Sequence, residues 1–193
     1  MEKDPGIVTP APVSVPCKYS LVAYATGARD RKRGKPMSTN STEKLLTEGV
    51  QELYYAEQQL VDATETLAEQ TDDESASEAF AEHHEETRNH VDRLEQVFDR
   101  LGQEPETREE QVVDALIDEH EQFAADNNGD VLDRYNIAAG QKTEHYEIAA
   151  YGNVTPLASK HGYEEAADLL EESLREEEEA LDELSQVGEQ FDR

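Results

Sequence analysis

Two glutamates stand where an apolar side chain is due. Glu57 falls between Leu53 and Leu60, and Glu144 between Gln141 and Ile148, on runs whose other inward positions recur every three or four residues. An ionised carboxylate in a helical core is costly unless it is paired or bound to a metal. Two of them at equivalent places on different helices point to one shared cause. More donors lie at compatible spacing. His83 and His90 flank the face centred on Thr87, with Glu86 further round on the same side. Glu147 follows Glu144 by one turn, and Glu177 lies on the inner line of the last helix with Glu176 and Glu172 close by. Oxygen-rich sets with a few imidazoles suit Fe(II)/Fe(III) or Mn(II), and carboxylates bridge pairs of such ions. The Glu-x-x-His spacing expected of a di-iron bundle is absent, since Glu86 is followed at that distance by Asn89 and Glu172 by Arg175. His83-x-x-Glu86, Glu86-x-x-x-His90, Glu144-x-x-Glu147 and Glu172-x-x-x-Glu176 stand instead.

Other residues of these types have plainer roles. Most acids belong to solvated faces. His84 reads as a packed core histidine, His120 and His161 as surface residues, and His145 as a surface residue or one standing behind a ligand. Tyr54, Tyr55, Tyr146 and Tyr151 read as core or boundary packing, with one or two placed to donate a phenol hydrogen bond to a ligating carboxylate.

The elements that must position these groups are helices. After Thr42 only Pro105 and Pro156 remain, and apolar residues recur with helical period. The spacing predicts helices over about 42–69, 75–101, 107–125, 131–153 and 163–187, with a kink or break where Gly152 and Pro156 weaken the fourth. Two long helix pairs joined through residues 102–130 describe an all-α, ferritin-like four-helix bundle whose long crossover carries an extra helix.

Composition narrows the function. Of 193 residues 46 are Asp or Glu and 17 Lys or Arg, for a net charge of −29. That balance argues against nucleic acid and against anionic membrane surfaces, and no run is long enough to span a bilayer. Cys17 is alone, which rules out a disulfide framework and a rubredoxin-type iron centre within the chain. Residues 1–37 carry seven bases, three acids and five of the seven prolines; residues 38–193 carry ten bases and 43 acids. The first segment reads as a disordered basic leader, either upstream or vector-derived sequence or a tail for an acidic partner. The second, 38–193, reads as the folded domain, with the charge of a halophilic protein tuned to a high-salt cytosol.

Several strings carry a family resemblance. Leu53-Tyr-Tyr-Ala-Glu-Gln-Gln-Leu60, His83-His-Glu-Glu-Thr87, Arg93-Leu-Glu-Gln-Val-Phe98, Gln141-Lys-Thr-Glu-His-Tyr-Glu-Ile-Ala-Ala-Tyr-Gly152 and Leu169-Leu-Glu-Glu-Ser-Leu-Arg-Glu-Glu177 resemble the YciE/YciF family of ferritin-like stress proteins over about residues 42–187. The resemblance implies a rubrerythrin-like bundle, a homodimer and a di-iron or ferroxidase site. It implies Glu57, His83, Glu86, Glu144, Glu147, Glu176 and Glu177 as ligands, to which spacing adds His90. The sequence departs from the family at His84, where an apolar residue is expected, at Leu181, where an acid is expected, and over Val154-Thr-Pro156. The function expected is a cytoplasmic protein that binds Fe(II) and oxidises it with peroxide or oxygen. A dimanganese, catalase-type site uses the same ligands; a non-catalytic helical stress or assembly protein, or a storage cage, are the other readings.

The charge excess makes a prediction of its own. Self-repulsion destabilises a compact state and salt screens it. Raising KCl from roughly 0.1 M to about 2 M, where the screening length falls several-fold, should raise the thermal unfolding midpoint. An unchanged midpoint would mean that the acids are already neutralised by bound cations or close pairing.

Overall fold

The computed structural model describes residues 39–193; the leader expected over residues 1–37 lies outside the described residues. The elements are α1 (Thr39–Gln70), α2 (Glu74–Leu101), α3 (Gln111–Ala124), α4 (Asp130–Lys160) and α5 (Glu164–Phe191). The four long helices each run to roughly 42–48 Å at 1.5 Å per residue. Neighbours pair as α1 with α2, α2 with α5, α5 with α4 and α4 with α1, which closes the bundle; α3, on the crossover, packs on α1 and α4.

Each long helix reads apolar, polar, apolar along its buried face, and the bundle aligns these stretches into layers. One end packs Leu46, Val50 and Leu53 of α1 with Leu94 and Phe98 of α2, Tyr151 and Val154 of α4, and Leu170 of α5. The other end packs Leu67, Phe80, Ile137, Leu184 and Val187. Between them lie Glu57, His83, His90, Glu144, Glu147 and Glu177, all buried. A smaller cluster of Ala56, Leu60 and Val113, flanked by Ile117, seats α3. Two glycines let α4 come close. A Cβ on Gly140 would stand 2.9 Å from both Phe80 and Leu184, and one on Gly49 would stand 2.6 Å from Val154.

α4 runs through Pro156 to Lys160 without the break that Gly152 and Pro156 suggested. The proline removes one helical donor and crowds the carbonyl four residues back. That residue is Gly152, which is exposed, so water can satisfy its carbonyl. Val154 and Ala158 meanwhile anchor the last turns in the core. α3 starts at Gln111 rather than near Thr107, because Glu110 caps it through its own carboxylate, which accepts from the Val112 and Val113 amides.

His120 corrects the sequence reading. It is buried rather than on the surface. Its Nε2 lies 2.8 Å from Asn136 Oδ1, and Asn136 Nδ2 donates to Thr71 Oγ1. The ring stacks on Tyr135, which stacks in turn on Phe123. His161 is half-buried and lies 3.1 Å from Thr42 Oγ1. His145 is exposed, and His84 is half-buried with its Nδ1 3.0 Å from the Val61 carbonyl.

Asp133 ties the α1–α2 turn to α4. It is 2% exposed, and its two oxygens accept from the amides of Asp72 and Asp73, each at 3.0 Å. Asp133→Ala removes both charge-assisted bonds from a buried corner and should cost about 2–3 kcal/mol. Glu65→Ala, on an exposed face, should stay within about 0.5 kcal/mol. Denaturant midpoints measured in high salt check both.

Candidate metal centre

Each side chain of the middle layer is aimed by its helix. On α1, Glu57 sits one turn from Leu53 and one from Leu60, so the apolar stripe that buries α1 also buries Glu57. On α4, Glu144 and Glu147 are three residues apart and share a face. On α2, His83 and His90 are seven apart, two turns along one stripe. On α5, Glu177 lies between buried Ser173 and Ala180.

Both histidines are held from outside by a carboxylate and turn their other nitrogen inward. His90 Nε2 lies 2.8 Å from Glu176 Oε2. With Nε2 engaged there, Nδ1 faces the centre, 2.9 Å from Glu177 Oε1 and 3.4 Å from Glu57 Oε1, and is the nitrogen that would lose its proton to a metal. His83 Nδ1 lies 3.4 Å from Glu86 Oε2, which turns its Nε2 to Glu144 at 3.3 Å and Glu177 at 3.8 Å. Tyr151, buried among core residues, donates its phenol hydrogen bond to Glu57 Oε1 at 2.5 Å. Of the four tyrosines with that expected role, Tyr151 is the one that fills it on the inner glutamates.

The centre is short of partners. Glu57 Oε2, His90 Nδ1, Glu144 Oε2, Glu147 Oε1 and both oxygens of Glu177 are buried without a hydrogen bond. Buried polar atoms are nearly always satisfied, and among the described residues these orphans all fall in one place. The buried side chains of the layer sort into two sets with Glu177 common to both: His83, Glu144, Glu147 and Glu177, and Glu57, His90 and Glu177. Within each set the donor atoms lie within 4.8 Å of one another. Donors around a divalent ion at about 2.1 Å stand roughly 3 Å apart when adjacent and about 4.2 Å apart when opposed. The residues therefore fit metal, and two ions suit them better than one. Four carboxylates also balance the charge of two divalent cations, with two neutral imidazoles completing the set.

Without metal the charges disturb one another. Burial drives the Glu144 and Glu147 carboxyls well above the usual carboxylate range, and the neighbouring Glu177 adds to it. Burial alone would lower His83, but Glu144, Glu86 and Glu177 outweigh it and raise the imidazole to about 9. His90 is likewise raised against its burial, by Glu57 first. Burial would raise Glu177, yet the adjacent His90 holds it below the ordinary value. Glu176, outside the layer, is lowered to about 2 by its bond from His90 and by Arg93.

Six of the eight expected ligands are thus brought together: Glu57, His83, His90, Glu144, Glu147 and Glu177. Glu86 and Glu176 are not in either set; each sits on the outer nitrogen of a histidine. Arg93 was not singled out in the sequence. Its guanidinium donates to Glu176 at 2.6 and 3.2 Å and to Ser173 Oγ at 2.8 Å, which fixes the carboxylate that fixes His90. Its signal was its place three residues after His90 on the same face, in a segment with few bases.

A helical bundle with a long crossover and four glutamates and two histidines at its centre defines the ferritin-like carboxylate class. The comparisons narrow the class to a family. A family model described as a domain of unknown function, DUF892, matches residues 41–191. Protein YciF of Escherichia coli K12 is 39% identical over 143 residues, 73% of this chain and 86% of that protein. The crystal structure of the E. coli stress protein YciF superposes with a TM-score of 0.74 and 34% identity, covering 78% of this chain and 96% of that one. YcfI of Rhodopseudomonas palustris gives 0.73 and 35%, over 78% and 97%. A Xanthomonas campestris structure, at 18% identity and a TM-score of 0.64, shares the fold. The chain belongs to the YciE/YciF family.

The perturbed groups give a pH dependence. A histidine raised in the folded state lends stability that is full below its unfolded value near 6.5 and is lost as pH rises through about 9. Carboxyls raised by burial act in the same direction. The chelated protein should therefore lose stability between pH 6.5 and 9, and His83→Gln should flatten that slope. Metal needs the deprotonated donors, so Mn(II) affinity should rise over the same window. Calorimetric titration in buffers of different ionisation enthalpy should register protons released on binding.

Proposed function

We propose that the protein binds two iron ions at the bundle centre and oxidises Fe(II), with hydrogen peroxide or dioxygen as electron acceptor. The observation that carries this reading is the set of orphaned buried donors on Glu57, His90, Glu144, Glu147 and Glu177. A helical protein with a purely structural role gains nothing from them. Leucine at the same places would avoid the desolvation penalty.

The chain's residues act by holding and exchanging charge. Hard carboxylate oxygens favour Fe(III) over Fe(II), which makes oxidation of the bound ion easier. Glu177 is common to both sets, so its charge is available to both. His90 is locked by Glu176 and Arg93, whereas His83 is held only by the longer contact to Glu86, which is 35% exposed at its side chain. The His83–Glu86 pair is therefore the route by which protons leave or enter the centre when its charge changes. Each Fe(II) gives up one electron. Peroxide takes two electrons and two protons, its O–O bond breaks, and two waters leave. The acid excess of the domain supports a high-salt cytosol as the setting of this chemistry.

Glu57→Ala and Glu144→Ala test the reading. The full-length wild type should bind about two Fe(II) per chain, the number a di-metal bundle holds, and should unfold at higher temperature when loaded. Each variant should lose iron oxidation and most of the iron-dependent rise in unfolding temperature, while Glu104→Ala, on an exposed loop, keeps both. Variants that bind and oxidise like wild type would place the chemistry elsewhere.

A further inference from the structure

Two voids with different inner walls meet at His83. Between α2 and α5 a void of about 100 Å³ runs past Glu82, Glu86, Glu179 and Glu183. On the other side, among α1, α2, α3 and α4, lies a cavity of about 250 Å³. Its inner wall is Leu60, Ala63, Phe80, Leu116, Ile117 and Gly140, it ends on His83 and Glu144, and the exposed Asp62, Glu119, Glu121 and Lys142 also line it, with Lys142 paired to Glu119. Its two inner hydroxyls are spoken for: Thr64 donates to the Leu60 carbonyl at 2.8 Å and Thr143 to the Ala139 carbonyl at 3.1 Å. At its inner end Glu144 is 1% exposed and its Oε2 has no partner.

The two approaches sort reactants by charge. Past the exposed carboxylates of the larger cavity, a hydrated cation would meet an apolar inner wall and shed water with nothing there to replace it, whereas the α2–α5 void offers Glu82, Glu86, Glu179 and Glu183. An anionic oxidant such as superoxide is opposed by the field of a domain with 43 acids against ten bases. A neutral solute meets neither barrier on the apolar side. At about 30 Å³ per water, the cavity also has room for several small molecules. α3, the crossover helix, supplies part of that wall through Leu116 and Ile117, which gives the extra helix a role in the chemistry.

We infer that the cavity beneath α3 admits and holds the uncharged oxidant, dioxygen or hydrogen peroxide, at the His83 and Glu144 end of the metal centre, on the side away from the carboxylate-lined void. This rests on the reading of the protein as an iron oxidase. With peroxide the balance is that given above; with dioxygen the same two electrons and two protons are taken up and hydrogen peroxide leaves.

The test fills the cavity without touching a ligand. Ala63→Phe on α1 and Ala139→Phe on α4 each place a ring into it from a different helix, so a folding failure in one leaves the other. Xenon, a neutral probe of apolar cavities, is followed by NMR on the metal-free full-length protein. Anaerobic Fe(II) binding is measured next, and the preloaded protein is then mixed with dioxygen or with peroxide. Wild type should take up xenon and the filled variants should not. The variants should bind Fe(II) as wild type does and oxidise it at least ten-fold more slowly; slowing with one oxidant alone supports the inference and names the occupant. Xenon excluded from wild type overturns it. So do filled variants that oxidise preloaded iron at the wild-type rate, including those in which only Fe(II) uptake has slowed, since the cavity would then be the cation's path. A wild type that binds iron without oxidising it fails the functional reading instead, and the xenon result still stands or falls by itself.

Discussion

Four carboxylates buried within one layer of a helical bundle repel one another, and the rest of the structure is arranged around that repulsion. Glu57, Glu144, Glu147 and Glu177 are each 1% exposed or less. Burial leaves their charge weakly screened by solvent, and two imidazoles cannot neutralise four negative groups. Protonation answers part of the problem, as the raised Glu144 and Glu147 carboxyls show. Two divalent cations would answer all of it, and would also engage the oxygens that hydrogen bonds leave orphaned. Apolar layers on both sides fix the four helices rigidly enough for that polar layer to persist. An outer set of groups, Glu86, Glu176, Arg93 and Tyr151, sets the orientation of the inner ones.

The charge of the exterior and that of the interior are separate problems. Outside, acids face water and are screened by salt over a few ångströms. Inside, screening by salt does not reach, and only specific counter-charge helps. The few bases of the domain reflect this division. Arg108 bridges to Glu48 and Glu52 on the surface, where such pairs are worth little. Arg93, 13% exposed at its side chain, is the base placed against the carboxylate that backs a buried histidine.

The fold was largely legible in the sequence because long amphipathic helices repeat their signal over many turns. The interruptions were legible for the same reason: Glu57, Glu144 and Glu177 stand out only against the apolar line they break. Periodicity says less about groups at the edge of a stripe. Glu86 and Glu176 lie one turn or less from inner ligands, and a small rotation of the helix decides whether such a residue points inward or backs a histidine. His120 was misread because its burial depends on Asn136 and Tyr135, partners on another helix that no local pattern reveals. Pro156 was read as a kink or break because the rule concerns the helix alone. In the bundle, Val154 and Ala158 hold the turn on either side of it. The six inner donors match the four-glutamate, two-histidine inventory of di-metal bundles, but both histidines come from α2, so a search by the usual motif spacing passes over them.

The account stands or falls on whether the orphaned donors hold ions. Crystals of the full-length protein grown anaerobically with Fe(II), with diffraction collected on either side of the iron absorption edge, test this directly. The account predicts two anomalous peaks, one among His83, Glu144, Glu147 and Glu177 and one among Glu57, His90 and Glu177. A centre with no anomalous density, its carboxyls protonated and bonded to one another or to water, would contradict it.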